Sequence, residues 1–214
     1  MPCAASSASI PATSTATLLD LAATRTNSRA LQAAQCAGAV LFVTALTAAA
    51  ARVSVPLPLT PVPFTVQPMI VLLGGAVLGA RLGLTAQLLY LTLGVVGLPV
   101  FAASPLLPQG ALRLLGPTGG YLMSYPLAAF LTGWLAERRF DRRYGTAVLA
   151  MACGLAVVFA CGVGWLAAVG APSLGIRAAL AAGFFPFVLA DVLKLFVAAS
   201  VMPGLWRLTG KRAS

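Results

Sequence analysis

The chain has 214 residues, of which 60% are hydrophobic and 8% charged, with a mean hydropathy of +0.96; this is the composition of an all-α, polytopic membrane protein. Its length accommodates about six spanning helices of roughly 20 residues each and leaves no room for a soluble domain. The net charge of +10 lies beside apolar runs instead of on a basic surface interleaved with aromatics, which excludes nucleic acid as a partner; the lack of His, with Cys3, Cys36, Cys153 and Cys161 far from metal-ligand spacing, excludes zincin, Ser-His, Cys-His and metal chemistry.

Residues 1–29 are rich in Ser, Thr and Ala and carry Arg25 and Arg29 near their end. They read as a disordered cytoplasmic tail, although an Arg-bearing, acid-poor leader also suits an organellar transit peptide. The membrane domain is expected over 30–208, followed by a short basic tail, 209–214.

The first span is expected at 30–51, and the next apolar stretch, 66–79, is short for a crossing. Between them lies VPLPLTPVPFTVQP, in which Pro56, Pro58, Pro61, Pro63 and Pro68 remove backbone donors and forbid a regular helix. Such backbone survives at membrane depth only where it lines a cavity. Further spans are expected at 82–98, 121–136, 146–169 and 178–202, with Pro126 and Pro186 as kink sites. Together with the short stretch these make six transmembrane helices joined by irregular external loops.

Orientation follows from the positive residues, which are retained on the cytoplasmic side of short loops. With both termini inside, the cytoplasmic set is Arg25, Arg29, Arg81, Arg138, Arg139, Arg142, Arg143, Arg207, Lys211 and Arg212, and only Arg52, Arg113 and Arg177 lie outside. That places the proline-rich stretch and the connection PVFAASPLLPQGALRLLGPTGG on the external face, where together they can roof a site open to the medium.

Two spans carry stripes of small residues, which permit close helix contact. In the fifth, Ala152, Ala156, Ala160, Gly164 and Ala168 recur at i+4, and packing within the bundle is the expected role. In the first, Ala30, Ala34 and Gly38 share one face and Ala33, Ala37, Ala45 and Ala49 another, and one of these faces could dock a partner, with ordinary internal packing as the alternative.

No phosphate-binding loop is present: GLWRLTGKR at 204–212 has one intervening residue too many and Arg212 where Ser or Thr should bind magnesium. The chain does not hydrolyse ATP by itself. GPTGGY at 116–121 reads as a loop entering a helix, whose terminal N–H groups are available to a carboxylate.

The last span, FPFVLADVLKLFVAA, retains Asp191 and Lys194 on one helix face. Each charge at mid-membrane depth costs about 2.5–3.5 kcal/mol, so the pair must gain from a partner, a cavity or a ligand. Three readings fit: ligand binding, proton or ion coupling, and a structural ion pair. One Asp and one Lys with no paired acid or metal cluster make a thin catalytic site, so an enzyme is not expected.

Four segments, VPLPLTPVPFTVQ at 55–67, LLYLTLGVVGLPVFA at 88–102, GPTGGYL at 116–122 and the D-x-x-K of Asp191 and Lys194, occur in the order and spacing of the BioY family. The chain resembles that family over about residues 30–205. The resemblance implies a biotin-specific S component of an energy-coupling factor transporter in a bacterial cytoplasmic membrane. It further implies six helices, an external pocket capped by the loop after the first helix, and biotin bound as transported ligand with no cofactor. Asp191 and Lys194 would form the polar part of the site, with Gln67, Tyr90, Gly120 and Tyr121 as further candidates from the matching motifs. By the same resemblance, a transmembrane T component and two ATP-hydrolysing subunits supply the energy, and the first helix meets the T component through Ala30, Ala34 and Gly38 or through Ala33 and Ala37. An S component for another vitamin and a proton-coupled secondary carrier remain as alternatives.

Overall fold

The computed structural model describes residues 17–19, 28–55, 57, 60–103, 109–169 and 175–208. Most of the expected N-terminal tail with Arg25, the prolines Pro56 and Pro58, and the basic tail with Lys211 and Arg212 lie outside the described residues.

Helix α1 (Arg29–Arg52) is followed by strand β1 (Ser54–Val55), strand β2 (Phe64–Thr65), α2 (Gln67–Leu78) and α3 (Ala80–Val95). A single turn, α4 (Leu112–Leu115), precedes α5 (Gly119–Glu137), α6 (Tyr144–Val169), α7 (Gly175–Gly183) and α8 (Phe185–Leu208). Three of these, α1, α6 and α8 as far as Trp206, are long and apolar enough to cross a membrane, and α2 is a shorter apolar helix. The proline-rich segment is not wholly irregular. Its two ends pair antiparallel, Ser54 with Thr65 and Val55 with Phe64, and so fold the stretch back as a small hairpin.

Helix α5 is the centre of the bundle and packs on α2, α3 and α6, while α8 closes the other side against α2 and α6. Apolar helices gain little from one another by hydrophobicity in lipid, so close approach through small residues must hold them. The α2–α3 turn meets α5 in this way. A Cβ on Gly75 would come within 2.4 Å of the Ala129 carbonyl oxygen, and one on Gly133 within 2.4 Å of the Gly79 carbonyl carbon. Gly79 itself turns the chain at φ +84°, and the N-terminus of α3 is capped from α5 by Glu137, whose Oε1 accepts the Ala80 N–H at 2.8 Å. Buried polar groups join α1 to α3: Thr44 donates to the Ala86 carbonyl at 2.9 Å, and Gln87 donates to Thr47 Oγ1 at 3.2 Å.

Two expectations are corrected. The small-residue stripe of α6 does not pack within the bundle, because Ala152, Ala156, Ala160, Gly164 and Ala168 are all exposed. The buried face of α6 is instead Met151, Leu155, Val158, Phe159, Val163 and Leu166, whose bulk fills the space towards α5 and α8. The last span is also not one helix over 178–202. It breaks at Phe184, between α7 and α8, because Pro186 has no N–H for a bond back into α7 and disfavours helical backbone before it. Pro186 therefore opens a helix instead of kinking one, whereas Pro126 and Pro203 do lie inside helices.

Candidate ligand-binding site

The hairpin, the N-terminus of α2, α4, and the facing ends of α5, α6 and α8 line a partly open cavity. Its apolar walls are Val62, Pro63, Pro68, Leu122, Tyr121, Tyr125, Val158, Phe159 and Phe187, and its polar groups come from Thr65, Gln67, Arg113, Thr118 and Asp191. A largely apolar wall with a few polar groups is the usual lining of a small-molecule site.

Asp191 is buried on α8 and turned into the cavity. Lys194, one turn further on, donates to Asp191 Oδ1 at 2.8 Å and to the Thr65 carbonyl at 2.5 Å, and its Nζ lies 3.5 Å from the centre of the Phe64 ring. Two hydrogen bonds and a cation–π contact thus fix the ammonium behind the carboxylate, where it does not line the cavity. This arrangement satisfies Lys194 with protein groups and leaves Asp191 Oδ2 for a donor in the cavity.

Gln67 reaches the wall from the first turn of α2 and is held from behind, its Nε2 donating to the Tyr90 hydroxyl at 2.6 Å. Tyr90 is fully buried on α3, and its hydroxyl donates to the Val100 carbonyl at 3.2 Å. Tyr90 supports the site without lining it. Tyr121 does line the cavity, and its hydroxyl donates at 2.8 Å to the carbonyl of Gly183 at the end of α7. Gly120 is turned towards α6, where a Cβ would lie 2.2 Å from Cβ of Trp165, so it permits close packing and does not line the cavity. Trp165 in turn donates to the Gly116 carbonyl at 3.0 Å and holds the GPTGGY loop in place.

The sequence reading placed Arg113 outside as a topological mark, but it belongs to the cavity wall. Its side chain is 2% exposed, and Nη2 donates to the Ala102 carbonyl. Desolvation lowers the guanidinium's proton affinity from its ordinary value, with the nearby Tyr90 acting in the other direction. The available signal was a lone charge in the apolar turn QGALRLLG; Tyr125, Phe159 and Phe187 gave none, since aromatics are unremarkable in an apolar chain. The four alanines and one glycine marked for partner contact, Ala30, Ala33, Ala34, Ala37 and Gly38, all lie exposed on α1, and none lines this cavity. Among the described residues no group of three or more His, Cys, Asp or Glu could hold a metal ion.

A family model described as the BioY family matches residues 23–211. The chain is 41% identical over 169 residues to the biotin transporter BioY of Thermotoga maritima, covering 79% of this chain and 94% of that one. It is 40% identical over 154 residues to the probable biotin transporter BioY of Pyrococcus horikoshii, covering 72% of this chain and 85% of that one. The fold is also that of a solved structure, the S-component for biotin from an ECF-type ABC transporter, with a TM-score of 0.73 at 24% identity, covering 87% of this chain and 95% of that one. The chain belongs to the BioY family.

Proposed function

We propose that the protein is the biotin-binding S component of an energy-coupling factor transporter, taking biotin up across the bacterial cytoplasmic membrane without altering it chemically. The observation that carries this reading is Asp191, a cavity-facing carboxylate held by Lys194 under a hairpin roof, in a chain whose relatives are named as biotin transporters. Biotin presents ureido N–H donors, an apolar ring and chain, and a carboxylate. In this site Asp191 accepts the ureido N–H groups, the Gln67 amide and the Thr65 side meet the ureido rim, the aromatic walls cover the ring, and Arg113 takes the carboxylate. Lys194 acts mainly as the clamp on Asp191 and Thr65.

Six crossings, with α2, α3 and α5 joining α1, α6 and α8, and both termini inside put the hairpin and α4 on the external face. The cavity then opens to the medium. The chain has no ATP-binding loop, so two ATP-hydrolysing subunits and a T component on other chains supply the energy, the latter docking on the exposed small-residue face of α1.

Calorimetric titration of biotin into detergent-purified protein tests the reading, with Asp191→Asn run alongside. Tight binding without ATP, lost in the variant, is the expected result. Absence of heat at any accessible biotin concentration would overturn biotin as the ligand.

A further inference from the structure

Of the seven residues from Glu137 to Arg143, all but Phe140 are charged, and the fold sorts them by sign. Both acids are turned inward onto neutral donors. Glu137 Oε1 accepts the Ala80 N–H at 2.8 Å, and Asp141, 2% exposed, accepts the Trp206 indole N–H at 2.6 Å. Arg138, Arg139 and Arg143 form no ion pair, the one pair among the described residues being Asp191 with Lys194, while Arg142 feels Asp141 only beyond ion-pair distance. Arg138, Arg139 and Arg143 are exposed and Arg142 half-buried. Arg139 adopts φ +69°, a conformation a non-glycine residue rarely takes, where the chain reverses between α5 and α6. Arg142 sits over the Trp206 ring at 4.3 Å, its buried Nε has no partner among the described residues, and burial, then Arg139 beside it, lowers its proton affinity against the opposing charge of Asp141.

The arginines also continue an apolar stripe. Met123, Leu127, Phe130 and Trp134 are exposed along one face of α5 at spacings of three and four, and Arg138 is the next residue on that face. Its guanidinium lies 3.3 Å from the centre of the Trp134 ring. Apolar side chains, then a tryptophan, then guanidinium groups is the order in which acyl chain, interface and phosphate occur in a bilayer leaflet.

We infer that the α5–α6 turn is a binding site for an anionic phospholipid, with the phosphate on Arg138, Arg139 and Arg143 and an acyl chain along Met123, Leu127, Phe130 and Trp134. A phosphodiester supplies the charge that Glu137 and Asp141 withhold, and the contiguous stripe favours a lipid over a free anion or an acidic peptide. The inference rests on the proposed crossing of the membrane by α5 and not on which ligand the pocket takes.

The test uses the full chain reconstituted in phosphatidylcholine bilayers with a minority of phosphatidylglycerol, re-extracted gently, with retained lipid counted by native mass spectrometry. The wild type is expected to retain phosphatidylglycerol above its mole fraction. R139Q/R143Q, which leaves both stacked arginines in place, is expected to lose about fivefold in retention per arginine removed. A monodisperse elution and an unchanged melting temperature show that the variant is folded, and Trp134→Ala gives a second, charge-neutral variant that should also weaken retention. Retention at the mole fraction, or retention untouched by either variant, would overturn the site. Displacement of the lipid by inorganic phosphate would overturn it in favour of a free-anion site, and displacement by a poly-glutamate peptide in favour of an acidic partner.

Discussion

Lys194 on α8 and Thr65 on β2 are 129 positions apart in the chain, and a 2.5 Å hydrogen bond from the ammonium to the carbonyl joins them. The same ammonium holds Asp191 Oδ1 at 2.8 Å. The roof of the cavity and its carboxylate therefore share one cation, and a ligand that engages Asp191 is felt at the hairpin.

Removing the clamp should cost more than removing the pair. Lys194→Met leaves a buried carboxylate without its cation and the Thr65 carbonyl without its donor, a loss of about 3–5 kcal/mol. In Asp191→Asn/Lys194→Met the buried charge is gone, so part of that loss returns. Tryptophan-fluorescence melts in one detergent would measure both; a double variant no more stable than the single one would sink the ion-pair account.

Tyr90 supports Gln67 from outside the cavity, and this separates stability from binding. Tyr90→Phe leaves the Gln67 amide and the Val100 carbonyl unsatisfied in the core, at a cost of about 1–3 kcal/mol. Tyr90→Phe/Gln67→Met removes the stranded amide and should recover much of the melting temperature. It should not recover ligand affinity, because the wall has lost its polar group. Calorimetry and melting on the same preparations would check the split.

The helical framework was legible because apolar run length is a strong signal in a membrane chain, and Asp191 and Lys194 stood out because charges there are costly. The i+4 alanines of α6 misled for a physical reason. In a chain this rich in alanine, small residues mark both close contacts and lipid-facing positions, and only the partner surface tells them apart. Gly75, Gly79 and Gly133, which do bring helices together, lie on three sides of a turn that no spacing rule spans. Arg113 was hidden because its burial depends on the Ala102 carbonyl, a backbone group that leaves no trace in the sequence.

That contrast is testable with one methyl group at a time. Gly133→Ala forces a Cβ against the backbone of Gly79 and Ala80, at 2.4 and 2.6 Å, with no flexible side chain to give way. Overpacking of that kind costs about 1–3 kcal/mol or more. Gly164→Ala meets nothing within 4 Å and lies within a helix, so it should not destabilise and should gain up to about 1 kcal/mol. Equal melting temperatures for the two variants would contradict the packing described for α2, α3 and α5.

The exposed face of α1 gives a prediction about assembly. Gly38 has open space above it, and Ala34 one turn away is exposed. Gly38→Trp should therefore leave the melting temperature and ligand binding of the isolated chain intact. Co-expressed with the proposed T component and ATPase subunits, it should no longer co-purify with them, because a helix cannot pack closely over an indole in place of a glycine. Co-purification at the wild-type level would remove α1 as the docking face.

At the opposite end of the bundle from the hairpin, Asp141 should make stability depend on pH in an unusual direction. Burial raises the pKa of its carboxyl above the ordinary value, against the smaller opposing effects of the Trp206 hydrogen bond and of Arg142. A raised folded pKa means that the folded state binds the proton more tightly than the unfolded state does. The contribution of this group is therefore fully present below the ordinary carboxylate pKa and is lost as pH rises through the folded value. Asp141→Asn keeps an acceptor for the Trp206 N–H and removes the buried charge, so it should melt higher than the wild type at neutral pH. The difference should vanish in acid, where Asp141 is neutral as well. Asp141→Leu removes the acceptor and should melt lower than Asp141→Asn at both extremes. A wild type that gains on Asp141→Asn as pH rises would show instead that the carboxylate is stabilised as an anion, with Arg142 and not burial deciding its charge.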